Sequence, residues 1–323
     1  MIIKKTFLAA VFISLAAISF CAEITSISFE PEFGFLNGTI IENVWYAKKT
    51  NSNTSTVYTP TTKLSRLDWQ LQNTPYFGLD FTTVFNEHLL FDFNIFTALS
   101  RDCGIMEDYD WKKEDQPNHL TNYSIHTNAL ESYSNIYFTI GYILKINAVF
   151  PISITPSFGI DFYEFDFTGR SGYKMYEDDN WEKEYFSDEI VIEYTQSYVC
   201  PHLSISADFD FTSFFETKLV AGISYIDEYN AYDIHEVRHI YFNDRIKQAW
   251  LFDGKLQLSY KINRTHKLSL NGTINYMPDA YAFTYISTTT INNFSENPDA
   301  TNLGGTSRLM WSYGINYTYT FWN

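Results

Sequence analysis

Four segments of the chain alternate apolar and polar residues with a period of two. They are residues 203–211, 256–262, 268–276 and 313–321. Because alternate side chains of a strand point to opposite faces, each segment predicts a β-strand with one apolar and one polar face. In water the apolar face would have to pack against a second sheet, whereas in a bilayer it would contact lipid.

The gaps between the strand-like segments alternate strictly between short and long. Short gaps lie near residues 86–87, 147–151, 212–214 and 263–265, and long gaps at about 49–62, 102–124, 172–186, 232–242 and 289–304. Four tight turns and five long loops connect ten strands and leave both chain ends on the tight-turn side. Outer-membrane barrels have short periplasmic turns and long external loops. The sequence therefore predicts an all-β, about ten-stranded antiparallel transmembrane β-barrel.

Composition agrees with this prediction. After the N-terminal segment, no apolar run approaches the roughly 20 residues that a membrane-spanning helix needs, and the mean hydropathy is −0.21. Aromatic residues nevertheless form 19% of the chain, with 25 Tyr and 28 Phe. Transmembrane barrels carry aromatic girdles and a polar inner face, which keeps the average hydropathy low.

The N-terminus predicts a secretory signal peptide over residues 1–22. A basic start and an apolar run to Phe20 precede small residues, and cleavage after Cys21 or Ala22 is expected. A lipoprotein anchored at Cys21 is the alternative, although bulky Phe20 before the cysteine disfavours it. Because no repeat, linker or change of composition follows, we expect residues 23–323 to form a single domain.

Only Cys103 and Cys200 follow the predicted cleavage site. Two cysteines are too few for a disulfide scaffold, and their spacing is unlike that of zinc sites. We expect both to be structural or free, without a catalytic role.

Two carboxylates, Asp108 and Asp110, stand two residues apart where a predicted strand enters an acidic loop. In an extended backbone they share a face. Carboxylates so close cannot both ionise freely, so one pKa should rise, and a proton or water should be shared. The simpler interpretation is an acidic, solvated loop, which is common.

Two further pairs occur at the predicted loops. Asp233 and His235 are also two residues apart, and an acid beside an imidazole fixes its tautomer and suits it to act as a general base. Ser124 and His126 have the same spacing. Because the long loops of a meander open at one rim, pairs from separate loops can face each other across one cleft.

Three mechanisms are compatible with such a cleft. Water deprotonated by His235 could be aimed at a carbonyl carbon while a protonated aspartate assists. Serine catalysis through Ser124 is a second mechanism, although no oxyanion hole is visible in the sequence. The third mechanism uses a metal ion bound by four residues: Asp108, Asp110, Asp233 and His235. Oxygen ligands with one imidazole, however, select no particular metal.

Several short elements occur in an order and spacing that resemble one known family. They are residues 34–38 with Glu42 and Val44, 63–69, 106–111, Thr121 with Ser124 and His126, 167–172, and 233–235. They are similar to the signature of the omptins, outer-membrane endopeptidases built as ten-stranded barrels, including its Asp-x-Asp-Trp, Thr-x-x-Ser-x-His and Asp-x-His elements. The resemblance covers nearly all of the chain after the signal.

The resemblance implies a role for each candidate residue. Asp108 and Asp110 would bind the water, Asp233 and His235 would form the catalytic dyad, Ser124 and His126 would support the cleft, and Glu42 would bind a basic side chain in the primary specificity pocket. A second pocket acid, expected two residues before Asp233, is Ala231 here. The family's lipopolysaccharide site also does not carry over, because its positions are Ile160, Phe162, Glu164 and Ser197.

The formal net charge of −16 bears on the partner. An acidic rim would attract cationic peptides and repel nucleic acid, or it would simply keep the loops solvated. We therefore expect an outer-membrane endopeptidase, of the aspartic type and without a cofactor, that faces the exterior and cleaves cationic peptides or exposed protein loops. Its other partner would be outer-membrane lipid. The alternative is an inactive barrel that serves as a surface adhesin or structural protein; a channel is disfavoured because side chains can fill so narrow a barrel.

Overall fold

The computed structural model describes residues 23–51, 56–299 and 301–322, so the predicted signal peptide lies outside the described residues. These residues form one antiparallel sheet. Its strands are β1 (Ile24–Asn51), β2 (Thr56–Phe85), β3 (Leu89–Ala98), β4 (Asp102–Asp110), β5 (Asn122–Tyr142), β6 (Leu144–Asn147), β7 (Pro151–Tyr176), β8 (Glu184–Tyr185), β9 (Ile190–Asp210), β10 (Phe215–His235), β11 (Ile240–Lys261), β12 (His266–Ser287) and β13 (Asn302–Trp322). Two single-turn 3₁₀ helices span Glu177–Asp179 and Glu236–Arg238.

The sheet closes into a barrel of ten strands. β3 and β4 both lie between β2 and β5, so they are two parts of one barrel strand, and β6 continues β5 along β7. The short β8 pairs only with the loop-side end of β7. β13 pairs with β1 from Trp322 opposite Ser26 to Asn302 opposite Tyr46, which closes the ring. The predicted fold class is confirmed.

The alternating segments place their apolar residues on the outside of the barrel. Leu270 on β12 is 58% exposed, whereas its neighbour Asn271 is 6% exposed and faces the interior. Leu258 and Ile315, which pair with Leu270 on the adjacent strands, are exposed as well. A soluble sandwich would bury this apolar face, so its exposure fits contact with lipid. No helix within the described residues is apolar and long enough to cross a membrane.

The four predicted tight turns are present, at residues 86–88, 148–150, 211–214 and 262–265. The chain enters the barrel at the same end, because Ile24 pairs with Phe85. At the opposite end the predicted lengths of the long loops were wrong. The loops are shorter than predicted, because the strands continue into them. Thr50 still pairs with Val57, and β10 continues to His235. Strands beyond the lipid can be polar on both faces, so they lack the alternation by which strands are predicted.

The loop-side ends of the strands lie beyond the apolar outer band. On β13 this band begins near Leu309, whereas Glu42 of β1 pairs with Thr306. Glu42 and Asp108 lie at the same height in the barrel, since both pair with Leu67. The candidate residues are therefore held by rigid sheet outside the lipid-facing segments.

A buried aromatic layer lies beneath these residues. Trp69 stacks on Tyr194 and on Phe167, with ring centroids 5.7 Å and 5.6 Å away. Met106, which pairs with Trp69, lines a cleft on the loop side. Phe165 lines a separate cavity of about 200 Å³ toward the tight turns. The aromatic layer thus lies next to the cleft, on the side away from the loops.

Candidate active site

The two paired aspartates lie at the end of β4. Their side chains share one face, while Glu107 and Tyr109 point to the other face, where Tyr123 and Gln70 donate hydrogen bonds to Glu107. The Ser65 hydroxyl donates to Oδ1 of Asp108 over 3.3 Å, and Lys112 forms an ion pair with Asp110 at 3.1 Å. Burial, and then the charge of Asp110, raise the pKa of Asp108 well above its ordinary value.

The Asp-His pair lies at the end of β10. Nε2 of His235 is 2.8 Å from Oδ2 of Asp233, whose side chain is buried. Because a carboxylate accepts, Nε2 carries the proton and Nδ1 presents its lone pair. Nδ1 contacts the guanidinium of Arg238, in the 3₁₀ helix that follows β10. Sequence reasoning missed Arg238, because a lone arginine in a loop carries no motif.

The third pair lies on β5. Nδ1 of His126 is 2.6 Å from the carbonyl oxygen of Ser171, so this nitrogen carries the proton, and the Ser124 hydroxyl donates to Nε2 over 3.0 Å. Gly172 has φ +89°, and a Cβ there would lie 1.8 Å from the carbonyl oxygen of Ile125. A glycine is therefore required where β7 bends to present the Ser171 carbonyl.

This third pair supports the cleft more readily than it performs chemistry. Burial lowers the pKa of His126, which keeps its imidazole neutral. The Ser124–His126 hydrogen bond is one that serine catalysis would use. However, a backbone carbonyl orients the imidazole, where a catalytic triad has a carboxylate.

One cleft of about 100 Å³ brings these elements together. Its polar lining includes Asp108 from β4, Ser124 and His126 from β5, His235 from the end of β10, and Arg238 from the 3₁₀ helix that follows. Two of these lining residues have an aspartate as neighbour: Asp110 acts on Asp108, and Asp233 contacts His235. Within the described part of the chain, no group of three or more His, Cys, Asp or Glu side chains is arranged to hold a metal ion.

Glu42 is buried and does not line the cleft. Its side chain is 2% exposed, and its Oε2 has no hydrogen-bond partner. Burial, and then the charges of Asp233 and Asp244, raise its pKa well above the ordinary value. Asp244 was not singled out from the sequence; the β10–β11 register places it opposite Ala231.

The sequence profile of the Omptin family matches residues 23–319. The chain belongs to the Omptin family. A plasminogen activator from Yersinia pestis is 23% identical over 210 residues, which is 64% of this chain and 65% of that relative's length. The match thus spans slightly less than two thirds of the curated relative.

A solved structure shows the same omptin fold. The outer membrane protease OmpT from Escherichia coli superimposes with a TM-score of 0.76 and 19% identity, over 92% of this chain and 97% of that one. At this identity the similarity establishes the architecture, a ten-stranded outer-membrane barrel. The buried Cys103 and Cys200 of this omptin are not bonded to each other.

Proposed function

We propose that this omptin is an endopeptidase of the outer membrane that hydrolyses peptide bonds with an activated water, at a cleft facing the cell exterior. The observation that carries the proposal is the meeting of Asp108 and His235, from separate strands, in one cleft. Each of them has a neighbouring aspartate: Asp110 for Asp108, and Asp233 for His235. Family membership and the relatives named as proteases or activators support the same activity.

The proposed mechanism has a base and an acid. Asp233 holds the Nε2 proton of His235, so the lone pair of Nδ1 is the acceptor for a proton from water. The oxygen of that water attacks the carbonyl carbon of the substrate. The raised pKa of Asp108 favours its protonated form, which donates a hydrogen bond to the carbonyl oxygen as negative charge develops.

Collapse of the tetrahedral intermediate completes the reaction. The C–N bond breaks, and His235 returns the proton from Nδ1 to the departing amine nitrogen. The products are a carboxylic acid and an amine. Burial, and then like-charge repulsion by Asp110, favour the protonated form of Asp108, and Lys112 forms an ion pair with Asp110. Three carboxyl groups and one imidazole thus act together in an aspartic-type hydrolase that needs no cofactor.

The proposed substrates are cationic peptides or exposed loops of proteins. The chain carries a formal net charge of −16, and a second acidic group, Glu42, lies buried behind the dyad. Such a field attracts cations and repels nucleic acid. Outer-membrane lipid surrounds the apolar band, while the usual lipopolysaccharide positions, represented here by Glu164 opposite Ser197, do not form a basic site.

A digestion experiment tests the proposal. The refolded barrel in detergent is incubated with a mixed peptide library, with and without lipopolysaccharide, and the cut sites are determined by mass spectrometry. We expect cuts by the wild type that disappear in Asp108→Asn, Asp110→Asn and His235→Ala. Asp227→Asn is the matched control, because it makes the same change at an exposed position of β10.

Folding is measured separately, by the shift of the folded barrel on an unheated gel. Full activity in an Asp233→Asn, His235→Ala double variant would remove the mechanism. Absence of cuts from a folded wild-type barrel, under both lipid conditions, would favour an adhesin or structural protein, which binding to host matrix would then test.

A further inference from the structure

The carboxyl group of Asp233, in the proposed dyad, belongs to a group of three buried carboxyls. Glu42 on β1, Asp233 on β10 and Asp244 on β11 are 2%, 5% and 4% exposed. Their charges act on one another, since Asp233 and Asp244 both raise the pKa of Glu42 and Asp233 raises that of Asp244. The group therefore lies on the interior face of three strands and adjoins the catalytic cleft through Asp233.

Asp244 is held toward this group by its neighbours. It pairs with Ala231, the position at which the resemblance to the family leads one to expect the second pocket acid. Thr284 donates a hydrogen bond to Oδ1 of Asp244 over 2.6 Å. A Cβ at Gly304 would lie 2.3 Å from the same carboxylate oxygen, so only glycine leaves room for the carboxylate there.

The group lacks a cation. Among the described residues, no Lys or Arg forms an ion pair with Glu42 or Asp244, and the ion-pair partner of Asp233 is His235. Oε2 of Glu42 and Oδ1 of Asp233 are buried without a hydrogen-bond partner. Burial raises the pKa of Asp244 to about 7. Buried carboxylates of this kind are costly unless a donor or a positive charge reaches them.

We propose that Asp244 determines specificity: together with Glu42 it binds the cationic side chain of a substrate Lys or Arg next to the scissile bond. In this way the neighbouring strand supplies the carboxylate that position 231 lacks. The inference rests on the proposed function, because it takes a peptide as the substrate. Its evidence comes from Glu42 and Asp244, which take no part in the proposed chemical step. A long side chain with several N–H donors suits carboxylates on different strands, since the described acids do not converge as metal ligands do.

Paired peptides test this role. Two peptides differ only in arginine or its neutral isostere citrulline at one position, and kcat/KM is measured for each. We expect wild type to favour arginine, and Asp244→Asn to reduce the arginine-to-citrulline ratio by about tenfold, as for loss of one charge-assisted hydrogen bond. Gly304→Ala keeps the acid but displaces it, and should reduce the ratio similarly. Asp227→Asn, on the exposed face of β10, should leave the ratio unchanged.

Binding separates this inference from the activity itself. In an Asp108→Asn background, the affinities of the same two peptides are compared with and without Asp244→Asn. A preference for arginine that depends on Asp244 supports the inference even if no variant cleaves. An arginine preference that survives Asp244→Asn, or equal affinities of the two peptides for the Asp108→Asn barrel, would overturn it, whatever the outcome for cleavage.

Discussion

Arg238 contacts His235 through Nδ1, the ring nitrogen that Asp233 leaves free. In the proposed mechanism this nitrogen accepts a proton from water, so the guanidinium would have to move away from it before each turnover. Since a hydrogen bond to a charged group contributes about 1.5 kcal/mol or more, Arg238→Ala should raise kcat/KM by about tenfold. Initial rates on one peptide decide the matter; a tenfold loss would show instead that Arg238 takes part in catalysis.

The pH dependence of activity should follow Asp108. Its pKa is raised by burial and by Asp110, and the positive charge of Arg238 opposes this rise. If protonated Asp108 is the acid, kcat/KM falls as pH increases through this raised pKa. Arg238→Gln removes the opposing charge and should move the fall to higher pH. A shift to lower pH in the pH-rate profile would contradict the assignment.

Glu42 should make the stability of the barrel depend on pH. Its pKa is raised in the folded state, so its contribution is fully present below the ordinary value and is lost as pH rises through the raised pKa. The unfolding temperature of the wild type in detergent should therefore fall over this range. Glu42→Gln has no proton to lose and should show a smaller fall. Parallel curves for the two proteins would exclude this contribution.

A charged side chain at Leu270, on the outer face of the barrel, should destabilise the protein in lipid. This side chain is 58% exposed within the apolar band, and an arginine near the middle of a bilayer costs a barrel about 2–4 kcal/mol. Leu270→Arg should lower the free energy of unfolding from lipid vesicles by this amount. Ile291→Arg, at an exposed position outside the strands, should change it by less than about 0.5 kcal/mol. Equal effects would place Leu270 outside the lipid.

The sequence predicted those features that depend on local periodicity. Leu270 and Asn271 face opposite sides because alternation is a property of one strand, and Asp233 meets His235 for the same reason. Contacts across strands were not predictable in this way. The approach of Asp244 to Glu42 depends on the register of several strands and on a glycine 60 positions further on, at Gly304. The contact of Arg238 with His235 depends on the conformation of the loop after β10, which no residue pattern specifies.

The pairing of β13 with β1 also determines how the barrel can be assembled. The two strands that close the ring come from opposite ends of the described chain, with Phe29 opposite Tyr319. Until β13 arrives, β1 and β12 each present an open edge that can pair with other chains. Contacts so distant in sequence also form slowly. A nascent chain therefore gains no stable smaller barrel on the way, and it must be kept apart from its own copies until the last strand has been made.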